Sequence, residues 1–424
     1  MSRTPVPTRA WVLHPDLKSA DARRAPAHAL QEATALAAAL PGLDIVGSAI
    51  VPLSNPRPAT LFGPGKVDEL RDLIAGEDIE LVLVDGPLTP VQQRNLERAW
   101  KVKILDRTGL ILEIFSDRAR TREGVLQVEM AALSYQRTRL VRAWTHLERQ
   151  RGGLGFVGGP GETQIEADRR AIDEQLVRLR RQLDKVVRTR DLHRAARARV
   201  PFPVVALVGY TNAGKSTLFN RLTGAEVMAK DMLFATLDPT MRAVDLPDGG
   251  PRVILSDTVG FISALPTQLV AAFRATLEEV LSADLVIHVR DIADPDSDAQ
   301  AEDVETILAD LGLSDATPRI EVWNKIDMVP AERAAALRVQ AARLDDVHVI
   351  SAVTGAGLPG LLGDVTARLG GARVPGDVKL THGDGRRRAW LYEQGVVEAE
   401  AQDEDGLTLS VRWTADQARR YHDL

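Results

Sequence analysis

Apolar positions along the chain fall into distinct regimes, and each predicts a different kind of element. Up to residue 117, short apolar runs (residues 10–13, 45–51, 81–84 and 102–105) alternate with amphipathic stretches at helical spacing (27–40, 67–75 and 90–100). Strand-like runs separated by helix-like ones predict a small α/β domain over 1–117 with a largely parallel sheet. From Leu126 the period becomes seven. Leu126, Leu133, Leu140 and Leu147 recur with Met130 and Trp144 between them, then Ile165, Ile172, Leu179 and Val186 with Leu176 and Leu183. Two such series predict two long helices whose apolar seams are core positions. Between them Arg151, Gly152, Gly153, Leu154, Gly155, Phe156, Val157, Gly158, Gly159, Pro160 and Gly161 form a segment too glycine-rich to fold alone. The segment 118–200 is therefore expected to be an antiparallel hairpin with its tip at 152–161.

Pro201 and Pro203 end the second helix, and the alternation resumes. β-rich runs at 204–208, 252–256, 285–289, 319–323 and 347–350 alternate with helical segments, as a doubly wound sheet over 201–371 requires. Gly370, Gly371, Pro375 and Gly376 read as a hinge. The last stretch, 377–424, reads as a small α+β domain with strand-like runs at 388–392 and 407–413. The expected fold class is thus α/β, with two smaller domains before the main sheet and one after it.

Composition narrows the chemistry. The 424 residues include no cysteine, which excludes disulfides, thiolate metal sites and a cysteine nucleophile. Eight scattered histidines lack ligand spacing, so any metal is expected to be held by oxygen. No apolar run approaches the roughly 18 residues of a membrane span, and the N-terminus lacks an apolar leader, so a cytoplasmic chain is expected. The net charge of −6 is uneven: residues 118–200 hold nineteen Arg and Lys against ten Asp and Glu, a local +9, leaving −15 elsewhere. Surplus arginine on a long hairpin with a backbone-exposed tip suits contact with folded RNA, whereas a solvated hairpin is the plain alternative.

One motif organises the chemistry. The apolar run 204–208 meets Gly209, Tyr210, Thr211, Asn212, Ala213, Gly214, Lys215 and Ser216, the pattern G-x-x-x-x-G-K-[ST]. A strand, a glycine-rich turn and a helix N-terminus wrap polyphosphate with backbone N–H groups. Lys215 is expected to bridge the β- and γ-phosphates and Ser216 to hold Mg²⁺. Asp257, Thr258, Val259 and Gly260 follow a strand, placing a carboxylate to orient the water shell of the ion and a glycine N–H for the γ-phosphate. Asn324, Lys325, Ile326 and Asp327 follow another strand. The Asp327 carboxylate accepts from the two N–H donors on the guanine edge and rejects adenine, so GTP and GDP are the expected ligands. Ser351 and Ala352 are expected to present a backbone amide to the guanine oxygen. The polar, aperiodic stretch 233–240 reads as a switch in which Thr236 or Thr240 closes on Mg²⁺.

These five motifs in this order resemble those of translation-factor-class GTPases. Gly209 to Ser216, the switch Phe234, Ala235, Thr236, Leu237 and Asp238, and the hairpin signature Arg151, Gly152, Gly153 … Gly159, Pro160, Gly161, Glu162, Thr163, Gln164 closely resemble the HflX family. The resemblance extends over nearly the whole chain and is less distinctive in the last fifty or so residues. It implies a P-loop GTPase with Thr236 as the Mg²⁺-linked residue, and Lys215 and Gly260 are the expected catalytic residues. It also implies a protein that binds the large ribosomal subunit (ribosomal RNA) and splits stalled or idle ribosomes; a monomer is expected. The hairpin tip, with Arg151, Gly152, Gly153, Gly155, Gly158, Gly159 and Gly161, would reach toward the peptidyl-transferase region. Phe261 stands where many small GTPases carry a water-orienting glutamine, so slow intrinsic hydrolysis is expected, with ribosome docking supplying the missing group.

Three other readings compete. A ribosome-assembly GTPase would share every motif. An RNA-remodelling ATPase would use Gly63, Pro64, Gly65 and Lys66, a glycine turn before a helix, as a second phosphate site. A non-catalytic RNA-binding module regulated by nucleotide occupancy is the third.

Overall fold

The structure, a computed structural model, describes residues 7–17, 24–150, 160–197, 202–225, 233–234, 240–247, 250–263, 279–314, 316–370, 373–381, 384–403 and 406–422. Its first layer is a four-stranded parallel sheet of β1 (Thr8–Leu17), β2 (Leu43–Leu53), β3 (Leu81–Val84) and β4 (Lys103–Asp106) in the order β2-β1-β3-β4. Every residue of the run Leu-Val-Leu-Val in β3 is buried, as a central parallel strand covered on both faces demands. Alternate residues feed two cores. Leu13, Val82 and Val84 pack with Leu96 and Trp100, whereas Val12 and Leu83 pack with Leu36 and Ile111.

The covering helices are α1 (Pro26–Ala38), α2 (Pro64–Gly76), α3 (Pro90–Trp100) and α4 (Arg107–Arg118). Helix α3 starts where the sequence says it must. Pro90 opens the first turn, the Thr89 hydroxyl accepts from the Gln92 amide at 3.2 Å, and the Gln92 side chain accepts from the Thr89 amide at 2.9 Å. Helix α4 is an addition to the elements expected; the Asp106 carboxylate caps it by accepting from Gly109 N–H at 2.8 Å.

Helices α5 (Arg122–Gln150) and α6 (Pro160–Arg197) form the hairpin. Pairs such as Gln175 with Glu129 and Arg137 with Asp173 run in opposite directions along the two helices, the antiparallel arrangement expected. The root of α5 is docked through buried Leu126, Val128 and Ala131, while Leu133 and Leu140 are half-buried along the seam. Pro160 and Gly161 open α6 rather than belonging to a loop. Arg151, Gly152, Gly153, Gly155, Gly158 and Gly159 lie outside the described residues.

The main sheet runs β10-β9-β8-β5-β7-β6, from β5 (Val204–Val208), β6 (Thr240–Asp245), β7 (Arg252–Asp257), β8 (Leu285–Asp291), β9 (Arg319–Asn324) and β10 (Val347–Val349). All pairings are parallel except that of the edge strand β6 with β7. This corrects the reading of 233–240 as wholly aperiodic, because Thr240 opens β6 and pairs with Asp257. Helices α7 (Lys215–Thr223), α8 (Ser297–Asp310), α9 (Ala331–Ala341) and α10 (Leu358–Leu369) cover the sheet. One apolar cluster is continuous across the first and main layers, joining Leu36, Ile111 and Phe115 to Val208, Phe234 and Phe261.

The C-terminal unit is a three-stranded antiparallel sheet, β11 (Arg373–Leu380), β12 (Val397–Asp403) and β13 (Gly406–Thr414) in the order β11-β13-β12, with helices α11 (Gly385–Glu393) and α12 (Ala415–His422). Two expectations are corrected here. Residues 375–376 lie inside β11 rather than in a hinge, and 388–392 are helical rather than extended. Leu391 is fully buried against Leu409 and Val411, so packing on one helical face, not strand alternation, organises that aromatic-rich run. Among the described residues, no helix is long and apolar enough to cross a membrane.

Candidate nucleotide site

The residues singled out after β5, β7, β9 and β10 converge at the carboxyl ends of the parallel strands, where a doubly wound sheet leaves a ligand crevice. Two glycines are there of necessity. Gly209 has φ +149°, and a Cβ on it would sit 2.1 Å from the Val289 carbonyl oxygen; Gly214 has φ +93°, and a Cβ would sit 2.2 Å from the Asn324 amide nitrogen. Asn212 also holds a left-handed backbone, φ +59°.

Lys215 is buried, and its ammonium donates to the carbonyls of Gly209 at 3.0 Å and Tyr210 at 2.7 Å. An ammonium has three donors, so one remains for an anion. Burial pushes Lys215 down to about 8, with nearby Lys325 adding to the effect and the Asp257 carboxylate opposing it. Ser216 Oγ donates to Asp257 Oδ2 at 2.7 Å, bringing together a hydroxyl and a carboxylate of the kind that hard cations prefer. This donor pair fits Mg²⁺. Among the described residues, no group of three or more His, Asp or Glu is placed to hold a metal.

Thr258 Oγ1 donates to the Leu207 carbonyl at 2.6 Å, fixing the turn after β7, and Val259 is buried. A Cβ on Gly260 would lie 2.9 Å from Thr211 Cα and 3.1 Å from Lys215 Nζ, so this backbone rides directly on the phosphate-binding loop. Phe261 is stitched to the same loop: its N–H donates to the Gly209 carbonyl at 3.1 Å and its carbonyl accepts from Thr211 N–H at 2.7 Å. The Phe261 side chain points into the core, 1% exposed, away from any position where it could meet water.

On the other side of the loop, the Asn324 amide donates to the Ala213 carbonyl at 2.9 Å, and its oxygen accepts from Ala352 N–H at 2.9 Å. The Ala352 amide therefore holds Asn324 against the phosphate-binding loop. Ser351 is buried and its hydroxyl accepts from Thr354 N–H at 3.0 Å. Lys325, at φ +64°, pairs with Asp291 at 2.7 Å, whereas Asp327 is exposed in the 3₁₀ turn Ile326–Met328. Phe234 is buried, and Ala235, Thr236, Leu237 and Asp238 lie outside the described residues. At the N-terminal glycine turn, Lys66 pairs with Glu69 of its own helix at 2.6 Å.

A polar cluster from the first domain abuts this loop and has no local signature in the sequence. Glu32 of α1 accepts from the Tyr210 hydroxyl at 2.6 Å, and Arg107 at the start of α4 donates to Ser263. Only the coincidence of charged residues within otherwise apolar elements hints at such partners.

Comparison with known proteins yields four successive family profiles: "GTP-binding GTPase N-terminal" over 27–116, "GTP-binding GTPase Middle Region" over 118–197, "50S ribosome-binding GTPase" over 204–325 and "HflX C-terminal domain" over 336–422. The chain is similar to the GTPase HflX of Magnetococcus marinus, 53% identical over 370 residues that cover 87% of this chain and 84% of that one. It is 46% identical to the GTPase HflX of Escherichia coli, covering 86% and 85%. Among solved structures, a GTP-binding protein of Sulfolobus solfataricus in complex with GDP matches with a TM-score of 0.46 and 22% identity over 85% of this chain and 98% of that one.

Proposed function

The chain belongs to the HflX family and is a GTPase, and from that premise we propose that it acts in the cytoplasm, as a monomer, to split stalled or idle ribosomes. GTP orders a switch state that engages the large subunit, and hydrolysis releases it. The observation that carries this reading is the arginine-rich hairpin α5–α6, with local charge +9, rooted on a domain that also touches the phosphate-binding loop. A long basic arm with a glycine-rich tip is suited to folded RNA, where arginine meets phosphate and bare backbone approaches closely.

In the nucleotide site, residues 209–216 wrap the phosphates, Lys215 neutralises the β- and γ-phosphates, and Gly260 N–H meets the γ-phosphate. Ser216 and Thr236 would hold Mg²⁺ directly and Asp257 through water, and the ion would offset phosphate charge. Asp327 accepts from the guanine edge, supported by its exposure beside the Asn324 tether. Asp327→Asn replaces an acceptor by an amide and is expected to weaken GTP about 100-fold, read by fluorescent-nucleotide titration. With its side chain in the core, Phe261 does not orient the attacking water. Hydrolysis is therefore expected to be slow alone and faster with large subunits.

Sucrose-gradient sedimentation tests the reading. With a GTP analogue, the full chain should convert mature ribosomes to subunits and travel with the large one, and a chain whose 152–161 segment is replaced by a short Gly-Ser linker should not. Binding confined to precursor particles, with mature ribosomes intact, would overturn splitting in favour of assembly.

A further inference from the structure

Glu32 lies in the first domain, far from the nucleotide motifs in sequence, yet its carboxylate closes a hydrogen-bond network on two of them. One carboxylate oxygen accepts from the Tyr210 hydroxyl at 2.6 Å and from Arg24 at 2.7 Å; the other accepts from Ser263 Oγ at 2.9 Å and from Arg107 at 2.5 Å. The Tyr210 hydroxyl also accepts from Ser263 N–H at 2.7 Å and from Arg24 at 2.9 Å. Arg107 donates further to Ser263 Oγ at 2.9 Å, to its carbonyl at 3.1 Å, and to Asp85 at 2.6 Å. The two hydroxyls are satisfied: the phenol donates once and accepts twice, and the serine hydroxyl donates to Glu32 while accepting from Arg107, whereas the buried Arg107 Nε has no partner. At partly buried positions such a network holds its members in one arrangement.

What it holds is the junction of two nucleotide motifs. Tyr210 is the second residue of the phosphate-binding loop, and Ser263 follows Gly260 by three residues. The two segments are joined by the backbone bonds of Phe261, so displacing Gly260 displaces Ser263. A third contact reaches the segment before Thr236: Phe234, at φ +57°, meets Phe115 of α4 edge-on with ring centroids 4.6 Å apart. A left-handed bulky residue is strained unless its surroundings hold it.

We propose that Glu32 and Arg107 form an interdomain clamp that restrains GTP hydrolysis by competing with the γ-phosphate for the Gly260–Ser263 segment. Closing Gly260 on the γ-phosphate draws Ser263 out of the clamp, and the clamp in turn disfavours the γ-phosphate while leaving GDP, which makes no demand on Gly260, unaffected. Coupling of this kind is reciprocal, and commonly amounts to about 5- to 150-fold in affinity. The inference rests on Gly260 being the γ-phosphate contact.

The test measures affinities for a non-hydrolysable GTP analogue and for GDP in the full chain, together with kcat and KM. Glu32→Ala should raise the ratio of analogue to GDP affinity about 5-fold or more and raise kcat. Ser263→Ala, which removes one hydroxyl and leaves the fold intact by thermal melting, should move the ratio in the same direction by less. Tyr210→Phe combined with Glu32→Ala should be non-additive, since both remove the same bond. A purely structural role would weaken both nucleotides together. An unchanged ratio in the folded Glu32→Ala and Ser263→Ala variants would overturn the clamp. Gly260→Ala separates the failures: loss of the analogue with GDP retained upholds Gly260 as the γ-phosphate contact, whereas equal effects on both nucleotides overturn that contact and the clamp with it.

Discussion

Arg107 shows how one residue can be read in terms of pH. It lies between Glu32 and Asp85, at 2.5 and 2.6 Å, and all three are largely buried. Burial alone would raise both carboxyls. For Glu32 it is outweighed by the Arg107 charge, the Tyr210 hydrogen bond and Arg24; for Asp85 it is outweighed by the His14 hydrogen bond and Arg107. Both carboxyls therefore end below their ordinary values of 4.5 and 3.8. A carboxylate whose pKa is lower in the folded chain contributes stability above its unfolded value and loses it as pH falls through the folded one. Arg107→Met leaves two buried carboxylates short of their main cation and is expected to cost about 3–5 kcal/mol at pH 7. Because the variant no longer depends on ionised carboxylates, that cost should shrink near pH 3.5. Urea unfolding at the two pH values checks this, and an equal loss at both would contradict the assignment.

At the scale of elements, Asp106 decides how the hairpin is seated. It ends β4, caps α4 through Gly109 N–H, and accepts from Tyr135 Oη and Arg139 of α5, each at 2.5 Å. Burial, with the adjacent Asp106 carboxylate, pushes the Tyr135 phenol well above its ordinary range. Asp106→Ala removes the cap and leaves Tyr135, Arg139 and Leu88 N–H short of an acceptor, an expected loss of about 2–4 kcal/mol. Asp106→Asn keeps a good cap and should lose less; chemical denaturation distinguishes the two. None of this pairing was legible in the sequence, because Asp106 and Arg139 belong to different periodic segments. The elements themselves were legible where one local rule dominated, as in the buried run of β3, the Thr89 capping box and the heptads of α5 and α6. They were not legible where tertiary packing decides. Strand β6 is an exposed edge that alternates weakly, and α11 carries strand-like aromatics whose burial comes from the sheet beneath. The nucleotide motifs were readable because backbone geometry demands glycine at 209 and 214, whereas Glu32, Arg107 and Ser263 answer only to each other across the domain boundary.

For the whole molecule, charge separation sets how it would meet a ribosome. The hairpin segment carries +9 and the remainder −15, so the body is repelled by RNA that the arm attracts, and the arm is expected to lead. Helix α6 presents Arg169, Arg170, Arg178, Arg180 and Arg181 as exposed residues, while Arg137 of α5 is paired with Asp173 at 2.7 Å. Exposed arginines that neutralise phosphates release counterions, and each such contact steepens the fall of log affinity with log salt by about 0.7–0.9. Binding of the full chain to large subunits, followed by sedimentation between roughly 50 and 200 mM salt, should therefore weaken by orders of magnitude. Replacing Arg178, Arg180 and Arg181 by Gln should flatten the salt dependence by about 2–3 units if all three touch RNA, and is expected to leave GTP affinity unchanged. An unchanged slope would mean that this face of α6 stays in solvent, and would move the RNA contact toward the 152–161 tip.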